Sequence, residues 1–388
     1  MNATTPTRTG APRTALVLAG GGARGAYQVG VLRGLAELGV LKPSIAGLDV
    51  FAGSSAGAIN TTVLAAHADD LVVAVDGLER LWSGISASDV FRTDARSLGQ
   101  IGVQWAWDLT FGGMIGGGTQ KSLLDTAPLR KFLAGHIPFR RLKDQISRGS
   151  LYALALSSTD LATGDGVLFL HGHPDIPDWQ RRRWHLRRTA IGVEHVMASS
   201  AIPILFPSVE VDGRHYGDGS VRNMSPLSPA INLGAERILA ISVRERTRPA
   251  ALAGPSAAPT IAQIAGVLLD AVLLDAVEVD VDHSARVNRS VISVEDDRPG
   301  SGPFRSVDVL WIQPSVDITR LAAEHAHSIP AVLRYLMRGL GSEESTTELA
   351  SYLLFESGFC RTLIEAGRAD AHACREEVEA FFAGRSPR

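Results

Sequence analysis

Short apolar runs alternate with amphipathic stretches along the first two thirds of the chain. Thr14–Ala19 (TALVLA) is apolar and runs into glycines, the pattern of a buried strand. Val31, Leu32, Leu35 and Leu38 then recur at helical spacing, and Gly39 supplies a stop. Leu48–Ala52 (LDVFA) reads as a second strand, with Ala58–Ala68 as the helix after it. Val209–Tyr216 reads as a hairpin turning at Asp212-Gly213, and Arg237–Val243 (RILAISV) and Val307–Ile312 (VDVLWI) as further strands of the same sheet. From Ile318 the pattern is helical, with an apolar face in Leu349–Ile364 and a last helix marked by Val378, Phe381 and Phe382. This alternation predicts a three-layer α/β domain over residues 14–316, a mostly parallel sheet with helices on both faces. A helical C-terminal extension over 317–388 is expected to pack on it and to shape access or an oligomer contact. Residues 1–13 are polar, lack the apolar stretch of a secretory signal and read as a mobile tail.

The most apolar segment, Ile261–Val281, is broken by Gln263, Asp270, Asp275, Glu278 and Asp280. Carboxylates at that density are costly in a bilayer, so the segment reads as a helix of a soluble protein. With 45% apolar and 20% charged residues among 388, a sizeable core is expected and wholesale disorder is excluded. A net charge of −3 argues against a dedicated nucleic-acid binder. It averages a basic stretch at Trp179–Arg188 with an acidic one at Asp270–Asp297, which leaves contact with a lipid surface open. Cys360 and Cys374 are too few for a disulfide framework and wrongly spaced for zinc, and the 11 histidines show no metal-binding spacing. A cytoplasmic or peripheral membrane protein without metal or organic cofactor fits this balance. Glycine is the outlier: 39 residues, against a usual share of about 7%.

The informative glycines sit at turns. Gly20-Gly21-Gly22-Ala23-Arg24-Gly25 joins the first strand to the first helix, where consecutive N–H groups at the positive end of a helix dipole attract negative charge. The same spacing satisfies a dinucleotide fingerprint, but no acid ends the second strand and no Walker-type Gly-Lys-Ser/Thr follows. Gly53-Ser54-Ser55-Ala56-Gly57 joins the second strand to the second helix, the context of a nucleophile elbow, in which flanking glycines permit a sharp turn that projects the serine hydroxyl. An elbow beside a donor loop fits acyl transfer better than cofactor binding, because oxyanion charge needs preorganised N–H donors.

These two motifs, with the later Asp218-Gly219-Ser220, resemble the three signatures of patatin-like phospholipases. Lys121–Thr126 (KSLLDT) and Ala198–Pro203 (ASSAIP) are similar to that family too, so the resemblance covers roughly Thr14–Leu233. Ser220 departs mildly from the family's usual Asp-Gly-Gly or Asp-Gly-Ala. The resemblance implies a Ser–Asp dyad with Ser55 as nucleophile and Asp218 as base, oxyanion donors around Gly21 and Gly22, a patatin-like hydrolase fold, and lipid esters as substrates. Arg24 reads as a buttress of the loop or as a phosphate contact. A Ser–His–Asp triad stays open through His283, His325 and His327, or through His195 before the acid, as does a nucleotide site at the glycine loop. Trp105, Trp107 and Phe111 before Gly112–Gly118 read as a glycine-rich cap over the sheet or a lid.

Overall fold

The computed structural model describes residues 13–42, 47–92, 122–246, 261–297, 305–330, 333–334 and 343–385. Residues 1–12 of the expected tail and the Trp105–Gly118 stretch lie outside them, whereas Arg13 already belongs to the first strand.

Five parallel strands form the centre of the sheet: β1 (Arg13–Leu18), β2 (Leu48–Gly53), β3 (Ala153–Asp160) and, farther along the chain, Ala235–Ile241 and Asp308–Ile312. Beyond β3 the sheet continues through β4 (Gly166–Gly172), antiparallel to β3, and ends in β5 (Gln180–Arg181) and β6 (Trp184–Arg188). The arginine-rich stretch thus forms an edge. A hairpin of β7 (Val209–Val211) and β8 (Arg214–Asp218) turns at Asp212 and Gly213, both at positive φ, and pairs through β8 with the carboxyl end of β3. The remaining strands are β9 (Ala235–Ile241) and β10 (Asp308–Ile312), giving the order β10-β9-β1-β2-β3-β4-β6-β5 among the described residues.

Side chains alternate across this sheet and create two cores. Leu16 and Leu18 of β1, Leu154 and Leu156 of β3, and Leu239 and Ile241 of β9 face one layer of helices. Ala15, Val17, Ala153, Ala155, Ile238 and Ala240 face the other. The first layer contains α1 (Gly25–Glu37), α2 (Ala56–Ala66) and α3 (Leu71–Gly84). α1 ends where its pattern predicts: Gly39 takes φ +77, and its N–H and that of Val40 return to the Ala36 and Leu35 carbonyls. A short α4 (Val193–Ser199) lies against β3 and the hairpin, and α5 (Ile261–Leu273) and α6 (Asp275–Asp297) follow β9.

The C-terminal helices α7 (Glu343–Leu353) and α8 (Ser357–Ala373) belong to the same core as the sheet: Tyr352, Phe359 and Leu363, with Phe381 of the last helix (Arg375–Phe382), are buried in one cluster with Leu16 and Phe51. No helix among the described residues is long and apolar enough to cross a membrane.

Candidate active site

Three segments converge at the carboxyl edge of the parallel strands, where open α/β sheets place their ligands. The glycine loop leaves β1, the Ser55 turn leaves β2, and Asp218 ends β8, opposite Ser158 of β3. Pairing of Leu18 with Gly53 and a bond from the Ser54 N–H to the Leu18 carbonyl at 3.2 Å bring the first two turns side by side.

Ser55 adopts φ +54, a conformation a non-glycine residue holds only when its surroundings impose it. The constraint comes from the Ala198–Pro203 segment. The Ser55 N–H donates to the carbonyl and hydroxyl oxygens of Ser199, both at 3.2 Å, and the Ser200 hydroxyl donates to the Ser55 carbonyl at 3.1 Å. Ser199 is anchored in turn on the Ser157 carbonyl at 2.6 Å.

Asp218 is fully buried. Its backbone carbonyl accepts from the Thr159 hydroxyl at 2.8 Å, and Oδ1 accepts from the Ser220 N–H at 2.8 Å. Oδ2 is buried without a hydrogen-bond partner. Burial pushes the carboxyl pKa up to about 6; the adjacent Ser55 hydroxyl and the Ser220 N–H and hydroxyl oppose the rise without cancelling it. The Ser55 hydroxyl therefore stands next to the carboxylate without a well-aligned bond to Oδ2 in this resting arrangement.

All six residues of the glycine loop are buried. A Cβ on Gly20 would stand 2.5 Å from Ser220 Oγ and 3.0 Å from Ser55 Cβ, so only glycine lets the loop approach both. Gly22 takes φ +55, and the Tyr352 carbonyl fills the place of its missing side chain. Protein packs against the loop on these sides. Ser220 does more than leave the aspartate in place: its Oγ lies 3.0 Å from Ser54 Oγ and tethers the third signature to the elbow.

Arg24 points into the protein, its Nε donating to Ser351 Oγ at 2.9 Å and its guanidinium lying 4.2 Å over the Tyr352 ring. These contacts fit the buttress reading of Arg24. Below the loop, Gln28 donates to the Ala19 carbonyl at 2.8 Å, and Asn60 links Gln28 to the Trp82 indole. Sequence patterning placed Tyr352 only within the apolar face of Leu349–Ile364 and did not single out Gln28, Asn60 or Ser351. Polar residues inside helical stretches are the one available signal, and solvated helix faces give the same signal.

The histidines are engaged elsewhere. His195 faces the Gly192 N–H and the Thr189 hydroxyl, His325 faces Thr362, and His283 and His327 are exposed. None of the hydrogen bonds recorded for Ser55 or Asp218 among the described residues involves a histidine. Nor, among those residues, do three or more His, Cys, Asp or Glu gather as a metal site requires.

Ser55 and Gly22 open onto a cleft lined by apolar side chains, among them Ile59, Leu81, Trp82, Phe132, Phe206 and Phe355.

A mostly parallel three-layer α/β sheet carrying a strand–turn–helix serine elbow against a buried aspartate defines the class of protein. Residues 16–231 match the model of the patatin-like phospholipases, and the chain belongs to that family. Uncharacterized NTE family proteins of Mycobacterium bovis and Mycobacterium tuberculosis are 26% identical over 60% of this chain and 49% of theirs, so the chain spans about half the length of these relatives. Among solved structures, VipD from Legionella pneumophila superposes with a TM-score of 0.32 at 12% identity, over 94% of this chain and 67% of VipD. Human GIVD cytosolic phospholipase A2 superposes at 0.40 and 13%, over 96% and 60%.

Proposed function

We propose that the protein is a serine-dependent lipid acyl hydrolase. The observation that carries the reading is Ser55, held at φ +54 beside a buried carboxyl with a pKa of about 6, at the head of an apolar cleft. A serine hydroxyl needs a base at neutral pH, and a carboxyl tuned toward neutrality transfers protons with little bias in either direction.

In the proposed reaction Asp218 takes the Ser55 proton as Oγ attacks the ester carbonyl. The oxyanion rests against N–H groups around Gly21 and Gly22, and the acyl chain lies in the cleft. Asp218 then passes the proton to the departing alcohol, leaving an acyl-enzyme. Water attacks that ester, again through Asp218, and releases a fatty acid with Ser55 restored. Phospholipids and lysophospholipids presented at a membrane or micelle surface are the first substrate class, with acylglycerols and simple esters next. No nucleic acid, metal or cofactor takes part.

A fluorophosphonate probe should modify Ser55, and Ser55→Ala should abolish hydrolysis of p-nitrophenyl esters at an unchanged melting temperature. Turnover surviving in folded Ser55→Ala refutes the reading.

A further inference from the structure

The glycine loop has little preference of its own for the shape it takes in the proposed site. Gly21 and Gly22 take φ +154 and +55, conformations that cost a glycine little to leave, whereas oxyanion donors act through being fixed beforehand. Something outside the loop must hold it, and the structure supplies a holder from the end of α7, well beyond residue 231, where the family match ends.

Tyr352 touches the loop twice. Its carbonyl packs into the space that the absent side chain of Gly22 leaves, and its ring underlies the Arg24 guanidinium at 4.2 Å. A desolvated cation over an aromatic face is held firmly, and both residues are buried. The ring is fixed at its far end, because the Tyr352 hydroxyl donates to the Asp270 carboxylate on α5. Leu273 of that helix also reaches Gly20. Ser351 closes the arrangement. Its single hydroxyl proton goes to the Glu348 carbonyl at 2.6 Å, which turns an oxygen lone pair toward Arg24 Nε at 2.9 Å.

We propose that Tyr352 is a positioning residue for the acyl-transfer site: α7 braces the oxyanion loop through the Tyr352 carbonyl and the Arg24–Tyr352–Ser351 contact. The proposal rests on the hydrolase reading and extends its site into the C-terminal helices. It makes α7 part of the active centre, where the sequence pattern suggests an appended helix.

The test compares Tyr352→Leu, Tyr352→Phe and Ser351→Ala with wild type and Ser55→Ala, by steady-state kinetics on a p-nitrophenyl ester. Amide hydrogen exchange over residues 18–27 is followed in the same proteins. Tyr352→Leu keeps the backbone carbonyl and removes the ring from Arg24. It should lower kcat about 10- to 100-fold, as sub-ångström to ångström misplacement does, with KM held within about twofold. Exchange at residues 20–24 should quicken. Tyr352→Phe keeps the ring and should retain kcat within about threefold.

Unchanged kcat and exchange in Tyr352→Leu overturn the brace, and so does a loss expressed equally in KM and kcat in both ring variants. Should Tyr352→Leu fail to fold, Ser351→Ala decides: faster loop exchange with a severalfold lower kcat supports the proposal, and no change refutes it. Turnover that persists in Ser55→Ala removes the hydrolase reading and the brace with it. Ser55-dependent turnover that is indifferent to Tyr352→Leu removes the brace alone.

Discussion

Asp218 provides a test of the site that does not require a substrate. In the unfolded chain its carboxyl ionises near 3.8; in the folded protein it does so at about 6. Between those values the native state keeps a proton that the unfolded chain has released, so stability falls as pH rises through the window and stays low above it. The full displacement corresponds to roughly 3 kcal/mol, of which about 2 kcal/mol falls between pH 4 and pH 8. Asp218→Asn removes the ionisation and keeps the shape. It also brings amide hydrogens into a pocket that donates to the carboxylate, and leaving one unpaired costs about 1–3 kcal/mol at every pH. The absolute difference from wild type therefore mixes two effects, and its change with pH isolates the one of interest. Urea unfolding of both proteins at several pH values measures it. The variant should gain about 2 kcal/mol relative to wild type between pH 4 and pH 8. A difference that stays flat across that range would refute a raised carboxyl pKa at Asp218, and with it the idea of a base tuned by burial. Under the proposed mechanism the same group should appear as a limb of kcat/KM that rises with pH around 6.

Ser55→Gly should remove the backbone strain at φ +54 and leave the protein about 1 kcal/mol more stable though inactive, as read by urea unfolding. Phe355→Leu shortens one wall of the cleft beside Trp82, whose ring lies 6.4 Å away, and should move the optimum across a series of p-nitrophenyl esters toward longer chains. Gly367→Ala would drive a methyl into the Tyr27 carbonyl on α1. It should lower the melting temperature, with a cost of about 1–3 kcal/mol, by prying α8 from the core.

Four of the five parallel strands were legible because their burial is written in their composition. β1, β2, β9 and β10 are runs of aliphatic residues bounded by turn signals, and the hairpin before Asp218 announces itself through Asp212-Gly213. β3 was not legible, although it is buried along its whole length. Its second half is Ser157-Ser158-Thr159-Asp160, which reads as a loop. In the fold these polar groups are satisfied by the site they support. Ser158 donates to the Gly217 carbonyl at 2.9 Å, Thr159 to the Asp218 carbonyl at 2.8 Å, and the Ser157 carbonyl anchors Ser199. A strand that carries a reaction centre trades apolar side chains for hydrogen bonds at its functional end, so hydrophobic patterning fails where the site begins.

The same logic separates the residues that motifs reveal from those they hide. Gly20, Ser55 and Asp218 are visible because sharp turns demand rare local sequences. The support behind them comes from ordinary helices meeting at close range, and close approach leaves no local signature beyond a glycine. A side chain on Gly30 or on Gly367 would run into backbone across the α1–α8 contact, as one on Gly22 would against α7. Part of the glycine excess in this chain thus marks two kinds of place, the turns that carry the proposed reacting groups and the surfaces where the C-terminal helices press on them. A truncation after residue 231 would keep all three signatures yet expose the Leu16 and Leu18 face of the sheet and strip Arg24 of Ser351 and Tyr352. Such a fragment should be unable to hold the glycine loop in its bound shape, even where the motifs in it are intact.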